Sequence, residues 1–327
     1  MEQRILGKTG RNVSIVGLGT WQLGADWGHV DPAQAQAILA ASVEAGVNFF
    51  DTADVYGDGK SEQAIGKFLA DNPGLDITVA TKMGRRMDQV PANYVESHFR
   101  QWLDRSRTNL GVDTIDLVQL HCPPSEVIDD DATYDVLDRL VDEGVIAAYG
   151  VSVETCAQAL SAIARPHVAS VQIILNAFRM KPLDEVLPAA VSAGVGIIAR
   201  VPLASGLLSG KYDSTTRFAE NDHRSYNRHG EAFDVGETFS GVPYDVGVAA
   251  AQHVASLTPQ GATTAQLALR WIVDQPGVST VIPGARNAEQ ARGNAAAADL
   301  APLDEATSEG LRAVYDGSVR VHVHDRW

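Results

Sequence analysis

The 327-residue sequence has little cysteine and little positive charge. Two cysteines, Cys122 and Cys156, are too few for a disulfide framework, so a reduced cytoplasm is the expected setting. Lys and Arg number 26 against 41 Asp and Glu, which gives a formal net charge of −15. Such a chain lacks the basic surface that non-specific nucleic-acid binding needs, and an anionic ligand requires a local basic pocket.

Long hydrophobic runs are also absent. Runs such as VGIIARVPLA fall far below the roughly 20 apolar residues of a membrane span. The first residues, MEQRILGKTGRN, contain no apolar signal-peptide core. With 45% hydrophobic and 20% charged residues, the chain can nevertheless bury a large core. We therefore expect a soluble, cytoplasmic protein that has neither nucleic acid nor membrane as a partner.

Short apolar runs alternate with amphipathic stretches of helical length. Eight runs are predicted strands, at 14–19, 47–51, 77–82, 115–121, 146–152, 168–174, 195–201 and 279–283. The predicted helices lie at 32–45, 61–70, 91–110, 132–143, 155–163, 183–193, 263–274 and 288–298. Glycine precedes several strands, as in EAGVNFF and SAGVGIIA, where it ends a helix with positive φ. Eight such units predict an α/β fold of the (β/α)8 TIM-barrel type, with a doubly wound sheet as the alternative.

A single barrel domain is expected to span residues 1–327, with three additions. The first dozen residues predict a short hairpin at the bottom of the barrel. Segment 203–243 follows the seventh predicted strand and is long, polar and rich in Gly, Asn and His. A loop of that length is usually a lid or a binding loop. Extra helices are predicted at 245–257 and, near the C-terminus, at 303–315.

Polar residues stand at the ends of three consecutive predicted strands. The second strand ends at Asp51, the third at Lys82 and the fourth at His121, and Tyr56 lies in the loop after the second. Each alone also fits a strand cap, a lysine reaching the surface or a loop residue. Barrel enzymes carry their chemistry at the carboxyl ends of the strands, and consecutive strands are neighbours. The four side chains are therefore expected to converge.

Together these residue types suit proton transfer to a carbonyl. A tyrosine has a pKa of about 10, which a neighbouring ammonium lowers. A carboxylate keeps that ammonium charged and in place, and a neutral histidine can orient the carbonyl oxygen. The strand ends offer no serine or cysteine nucleophile, no carboxylate pair and no metal-ligand cluster. Such a site needs hydride from a cofactor.

The usual nucleotide-binding motifs fail in this sequence. GLGTWQLG has Gln22 where the dinucleotide-binding fingerprint needs its third glycine. The segment GDGKS resembles the end of a P-loop, but Asp54 stands where that motif needs its first glycine. Barrels often bind phosphate near strands 7 and 8 instead. There, RVPLASGLLSGK offers backbone N–H groups, and Arg286 begins a predicted helix. Alternatively, Arg286 pairs with a surface acid.

Five segments in order, FFDTADVYG, ATKMG, DLVQLH, YGVS and VIPGARN, resemble the aldo-keto reductase family over residues 6–300. The family forms (β/α)8 barrels that reduce aldehydes and ketones with NADPH. The resemblance implies that Tyr56 is the general acid and that Asp51 and Lys82 tune it. It also implies that His121 orients the carbonyl.

The resemblance further implies a substrate site and a cofactor site. Substrate is expected against Trp21, Tyr56 and His121. Cofactor contacts are expected along the nicotinamide, its carboxamide, the pyrophosphate and the adenosine 2′-phosphate, at Thr20, Trp21, Asp51, Ser152, Gln172, Arg200, Pro202, Leu203, Ser205, Gly206, Leu208, Lys211, Gly284, Arg286, Gln290 and Asn294. Three positions depart from the family pattern: Val153 replaces Asn, Arg200 replaces an aromatic ring, and Leu175 replaces Tyr.

The expected function is NADPH-dependent reduction of an aldehyde or ketone, sugars included. The expected partner is a small-molecule carbonyl compound, and no metal is expected. The alternative is an NADPH-binding regulatory or sensor subunit that acts through a protein partner, as some relatives do with ion channels. Neither the individual substrate, the direction of the reaction nor the oligomeric state follows from the sequence. Trp27 is a further candidate for the pocket lining, and Cys122 is either a reactive thiol or an inert buried one.

Overall fold

Eight parallel strands form the centre of the computed structural model, which describes residues 1–24 and 31–327. They are hydrogen-bonded in chain order: β3 (Leu18–Gly19), β4 (Phe49–Asp51), β5 (Thr78–Met83), β6 (Leu117–His121), β7 (Tyr149–Ser152), β8 (Ser170–Ile174), β9 (Gly196–Arg200) and β10 (Val278–Val281). The sheet closes beside β3, where the N–H of Gly17 donates to the carbonyl of Val281 at 2.8 Å. The predicted (β/α)8 fold is confirmed. The candidate pocket residue Trp27 lies outside the described residues.

Helices follow the barrel strands. They are α1 (Pro32–Glu44), α2 (Lys60–Asp71), α3 (Glu96–Leu110), α4 (Ser125–Ile128), α5 (Asp131–Asp142), α6 (Cys156–Ile163), α7 (Val186–Ala193), α8 (His223–Tyr226), α9 (Tyr244–Ser256), α10 (Thr264–Val273), α11 (Ala288–Ala295), α12 (Glu305–Val314) and α13 (Arg320–Val323). Gly194 ends α7 with a φ of 65°, a conformation that costs glycine little. No helix among the described residues is long and apolar enough to cross a bilayer.

The first predicted strand, 14–19, is wrong in its extent. Ser14 belongs to β2 (Asn12–Ser14), which pairs antiparallel with β1 (Gln3–Ile5), and only Leu18 and Gly19 form the barrel strand. An apolar run cannot show where the chain passes from one sheet into another. Leu6 and Val13, from the hairpin of β1 and β2, are fully buried and pack against the apolar side chains inside the barrel.

On four of the strands the barrel interior changes from an apolar layer to a polar one. One layer of buried side chains contains Phe49, Ala80, Leu117 and Ile198. Because strand side chains alternate between faces with a period of two, the residues two positions further on point to the same interior. These are Asp51, Lys82, Gln119 and Arg200, all at most 7% exposed. The polar layer therefore lies two residues further along the strands than the apolar layer, toward their carboxyl ends.

Segment 203–243 connects β9 to α9 and is built from short helical turns. These are Ala204–Ser209, α8, Val235–Glu237 and Phe239–Gly241. Its second half packs on Trp327, whose ring lies 3.7 Å from the guanidinium carbon of Arg179 and whose indole N–H donates to Asp234 at 3.0 Å. A Cβ on Gly241 would come 2.4 Å from the Trp327 ring, so the contact is close.

Candidate active site

Asp51, Lys82, His121 and Tyr56 converge as predicted. Lys82 Nζ donates to Asp51 Oδ1 at 2.5 Å and to the Thr52 carbonyl at 2.8 Å, and it lies 3.4 Å from the Tyr56 hydroxyl. The Tyr56 ring meets the His121 ring edge-on, with centroids 6.0 Å apart. Asp51 and Lys82 are 2% and 1% exposed, so this ion pair is shielded from water.

Burial and charge set the protonation of these groups. Burial lowers the pKa of Lys82, but Asp51 and Tyr56 raise it by more, and the ammonium form is favoured. Burial lowers the pKa of His121 well below its ordinary value, and Arg85 and Lys82 lower it further. The imidazole is thus neutral at neutral pH.

Tyr56 differs from the expectation in one respect. Lys82 does lower the pKa of the phenol, but burial raises it by more, and the pKa of Tyr56 is raised overall. The hydroxyl is therefore fully protonated at neutral pH. A protonated phenol beside an ammonium can give up a proton as negative charge develops on an acceptor close to it.

Close packing of two loops fixes Tyr56. Its ring stacks on Trp21 with a centroid distance of 6.1 Å, and the next residue, Gly57, has a φ of 58°. A Cβ on Gly57 would lie 1.9 Å from the carbonyl oxygen of Gly24, so no larger residue fits without displacing a loop. Trp21, a predicted substrate contact, is thereby held against the predicted general acid.

Thr20, Ser152 and Gln172 lie in the same buried layer. The Thr20 hydroxyl donates to the Asp51 carbonyl at 2.8 Å. Gln172 Nε2 donates to Asp51 Oδ2 at 2.8 Å, and the Ser152 hydroxyl lies 3.4 Å from Gln172 Oε1. Gln172 therefore directs its carbonyl oxygen toward Ser152, where a carboxamide N–H could be accepted.

Arg200, predicted to stack on a cofactor, is buried and forms a ring of charges with the partly buried Arg85, Glu154 and Glu237, hereafter the ionic ring. Arg200 donates to Glu154 at 2.8 Å and lies 3.5 Å from Glu237. Arg85 lies 3.4 Å from each of the same two carboxylates. The charges of the ionic ring sum to zero. The ring borders the catalytic groups, because Arg200 is 3.8 Å from Cys122, which follows His121.

The ionic ring also bears on metal binding and thiol chemistry. Cys122, Glu154 and Glu237 place potential ligand atoms within 4.8 Å of one another. Arginines pair with both carboxylates, however, and burial followed by Glu154 raises the pKa of Cys122 to about 12. A protonated thiol is a poor ligand and a poor nucleophile, so Cys122 fits the inert interpretation.

The turn after β9 holds the predicted pyrophosphate contacts. Ala204 and Ser205 have φ values of 47° and 54°, and Gly206 has a φ of 95°. Positive φ at residues other than glycine is uncommon and concentrates at functional sites. Of the remaining predicted contacts, Pro202 and Leu208 are buried, Leu203 is half-buried and Lys211 is exposed at the end of the turn. The Ser205 hydroxyl donates to the Glu237 carbonyl at 3.1 Å, which ties the turn to the far end of the segment.

The predicted adenosine 2′-phosphate contacts surround the start of α11. Gln290 Oε1 accepts from the N–H of Arg286 at 2.9 Å, and Asn294 Nδ2 donates to the Gly284 carbonyl at 3.1 Å. The Arg286 guanidinium is 49% exposed and lies 3.5 Å from Asp222 of segment 203–243. An exposed guanidinium at a helix start suits a phosphate.

The residues present fit a nicotinamide dinucleotide. Among the described residues, His121 Nδ1, Arg85 Nε and Arg200 Nε are buried without a hydrogen-bond partner, all close to the carboxyl ends of the strands. Buried polar atoms without a partner are rare in folded proteins and often mark a binding site.

Several residues of the site were not predicted from the sequence. Gln119 stands inside an apolar run, and its only signal is that it shares the strand face of His121. Glu154 follows β7 after Val153, and no motif or periodicity marks it. Glu237 and Phe233 come from segment 203–243, and Phe233 meets the Trp21 ring edge-on at 5.8 Å. No periodic pattern points to a loop residue that reaches back over the barrel.

The sequence is similar to those of known proteins over most of its length. The sequence is 33% identical over 315 residues to an uncharacterized oxidoreductase of Mycobacterium tuberculosis, covering 92% of this chain and 90% of the relative. It is 29% identical over 321 residues to a probable voltage-gated potassium channel subunit beta of Arabidopsis thaliana, with 93% of each chain covered.

Solved structures with the same fold include an aldo-keto reductase from Bacillus halodurans, with 26% identity, a TM-score of 0.79 and coverage of 100% and 99%. A glycerol dehydrogenase from Gluconobacter oxydans has 28% identity, a TM-score of 0.79 and coverage of 99% and 97%. An aldo-keto reductase from Klebsiella pneumoniae in complex with NADPH has 23% identity, a TM-score of 0.72 and coverage of 96% of each chain. A sequence model of the aldo/keto reductase family matches residues 15–316, nearly the whole chain. The resemblance seen in the sequence is confirmed, and the protein belongs to the aldo/keto reductase family of oxidoreductases.

Proposed function

We propose that the protein reduces the carbonyl group of an aldehyde or ketone to an alcohol with NADPH. The observation that carries this proposal is the buried contact of Lys82 with both Asp51 and Tyr56, beside a neutral His121. These groups can bind a carbonyl oxygen and protonate it. Lys82 is held as an ammonium, which is not a nucleophile, so the group suits proton transfer better than covalent catalysis.

Each side chain has one task in this reaction. Tyr56, protonated at neutral pH, gives its proton to the carbonyl oxygen. The Lys82 ammonium stabilises the phenolate that remains, and Asp51 keeps the ammonium charged. The neutral His121 imidazole orients the oxygen through a ring N–H. When bound, NADPH would supply the hydride that the carbonyl carbon receives. In the reverse direction, the Tyr56 phenolate removes the proton of an alcohol.

The proposed cofactor site extends from the strand ends to α11. Ser152 and Gln172 would hold the carboxamide, and the turn at Ser205 and Gly206 would face the pyrophosphate. Arg286 would bind the 2′-phosphate, a group that NADH lacks. Asp222 already pairs with Arg286, so the phosphate must share or displace this carboxylate.

The function is tested by replacing Tyr56 with Phe, which removes one hydroxyl and keeps the ring. Turnover should fall by about 10²–10⁴-fold, the usual contribution of a positioned proton donor. Fluorescence titration should show unchanged NADPH affinity and weaker NADH binding, and the melting temperature should stay constant. Wild-type turnover in the folded, NADPH-binding variant would refute the role of Tyr56.

The ionic ring favours a hydroxylated, sugar-like substrate. Its members approach one another at 3.4–3.5 Å in three of their contacts, which is long for charge-assisted hydrogen bonds. A substrate hydroxyl both donates and accepts, so it can bind to Arg85 and Glu237 at once. The aromatic rings of Trp21 and Phe233 supply an apolar surface in the same site. The glycerol dehydrogenase relative acts on a polyol, which agrees with this choice.

This substrate class is tested by comparing glyceraldehyde with propanal, which lacks the two hydroxyls. Replacing Glu237 with Gln should lower kcat/KM for glyceraldehyde by about 10-fold, since hydrogen bonds to charged groups contribute about 1.5–3 kcal/mol. The value for propanal should change by less than about 3-fold on the same reasoning. Glu220→Gln, an exposed change in the same segment, serves as the matched control. Equal losses on both aldehydes would contradict the proposal.

A regulatory subunit is the second candidate, and the similarity to the plant channel subunit beta favours it. Both candidates bind NADPH, so binding alone does not separate them. Measuring turnover across a panel of small aldehydes separates the two candidates. A protein that binds NADPH tightly but turns over none of them would support the regulatory role.

A further inference from the structure

Gln119 is a polar side chain in the apolar strand β6. It is fully buried, and its neighbours Val118 and Leu120 belong to the hydrophobic core. Its side chain shares the barrel interior with Asp51, and its Nε2 donates to Asp51 Oδ2 at 3.1 Å. A buried amide is costly unless it is hydrogen-bonded, so this contact has to repay the desolvation of the group.

The two oxygens of Asp51 have separate partners. Oδ1 accepts from Lys82 at 2.5 Å, while Oδ2 accepts from Gln172 at 2.8 Å and from Gln119 at 3.1 Å. Gln172 also donates to Gln119 Oε1 at 3.3 Å. Gln119 thus holds Asp51 through its N–H and Gln172 through its carbonyl, which sets the orientation of both groups.

We propose that Gln119 is a positioning residue for the proton transfer from Tyr56. It fixes the plane of the Asp51 carboxylate so that Oδ1 faces Lys82, and Lys82 in turn stays beside the Tyr56 hydroxyl. By holding Gln172 as well, it keeps the proposed carboxamide acceptor turned toward Ser152. This role rests on the proposed function of the site.

The physical effect passes through the charge on Lys82. A carboxylate that loses one of two amide donors at Oδ2 becomes more basic and binds the Lys82 proton more strongly. Lys82 then lends less positive charge to Tyr56, and the pKa of the phenol rises. The carboxylate is also freer to rotate away from Lys82, which lowers the rate at every pH.

The experiment replaces Gln119 with Leu, which is similar in size and has no donor. Thr280→Val is the matched control, because Thr280 is equally buried inside the barrel and bonds the Ser14 carbonyl instead of Asp51. With NADPH and an aldehyde, Gln119→Leu should lower kcat about 10-fold. With NADP+ and an alcohol, where Tyr56 acts as the base, the rising limb of the pH profile should move up by about half a unit to one unit. NADPH affinity should fall by a smaller factor than kcat, because Gln172 loses its contact with Gln119 but keeps its hydrogen bond to Asp51. Thr280→Val should lower stability without moving the pH profile.

A second variant separates positioning from packing. Gln119→Glu places a carboxyl group against Asp51, and the like charge raises its pKa. While protonated, this group can donate to Asp51 Oδ2 as the amide does. Gln119→Glu should therefore be more active than Gln119→Leu at pH 6 and should lose that advantage by pH 8.

Two outcomes would overturn the inference. One is a Gln119→Leu enzyme with wild-type kcat and pH profile. The other is a loss of activity that matches Thr280→Val in size and pH profile, which would reduce Gln119 to core packing. Tyr56→Phe is measured alongside: if it is inactive while Gln119→Leu is normal, the inference fails and the proposed function stands. If Tyr56→Phe is fully active, the proposed function fails first.

Discussion

Asp54, two residues before Tyr56, is a buried carboxyl group whose charge should destabilise the fold. It is 0% exposed, and neither carboxyl oxygen has a hydrogen-bond partner among the described residues. Burial, followed by the charge of Glu62, raises its pKa from 3.8 to about 7, although Arg86 and Arg105 oppose the shift. We expect Asp54→Asn to stabilise the protein increasingly as the pH rises.

The sign and size follow from linkage between folding and protonation. The folded pKa exceeds the unfolded one, so the ionised form is disfavoured in the fold. The resulting loss of stability is absent below pH 3.8, grows toward pH 7 and is constant above it. The two pKa values give a loss of about 2 kcal/mol at pH 5 and about 4 kcal/mol at pH 8. Asp54→Asn removes this loss, so its advantage should grow by roughly 2–3 kcal/mol between those pH values.

The assay is thermal and urea unfolding of both proteins from pH 5 to pH 8. The melting-temperature difference should widen by about 4 °C over this range for a chain of this length. Asp58→Asn is the control in the same loop: Arg86 and Arg105 lower the pKa of this exposed carboxyl, so it is ionised throughout and its effect should not vary with pH. A pH-independent difference for Asp54→Asn would refute the reasoning.

Two further changes test the packing that supports the site. Gly57→Ala forces a Cβ against the Gly24 carbonyl and should displace Tyr56; kcat should fall about 10-fold or more with NADPH affinity retained, and an unchanged kcat would contradict the close fit. Trp327→Ala removes the ring that holds Arg179 and Asp234, so segment 203–243 should be cleaved faster in limited proteolysis and KM for glyceraldehyde should rise more than kcat falls. Wild-type proteolysis and KM would show that this contact does not hold the segment.

The predictability of the site follows the regularity of the fold. Asp51 and His121 are predictable because each ends a strand, and Lys82 because it lies one residue before the end of its strand. A barrel brings consecutive strand ends together. The role of Gln119 is not predictable, because a single polar residue within a buried strand gives no sign of its partner. That partner, Asp51, follows only from the alignment of the strands in the barrel. Glu237 is not predictable either, because its place depends on how segment 203–243 folds back. The predicted strand 146–152 begins three residues too early, because the apolar residues before Tyr149 do not belong to β7.

The change from an apolar to a polar layer within the barrel separates two kinds of evolutionary freedom. The proton-transfer groups lie on strands, where a shift of one residue would turn every side chain to the opposite face. Insertions within these strands are therefore disfavoured, and the proton-transfer groups are expected to stay together. Segment 203–243 lies outside the strand register and tolerates changes of length at small entropic cost. Descendants of this chain can therefore acquire new substrates by exchanging one loop while the reaction itself stays the same.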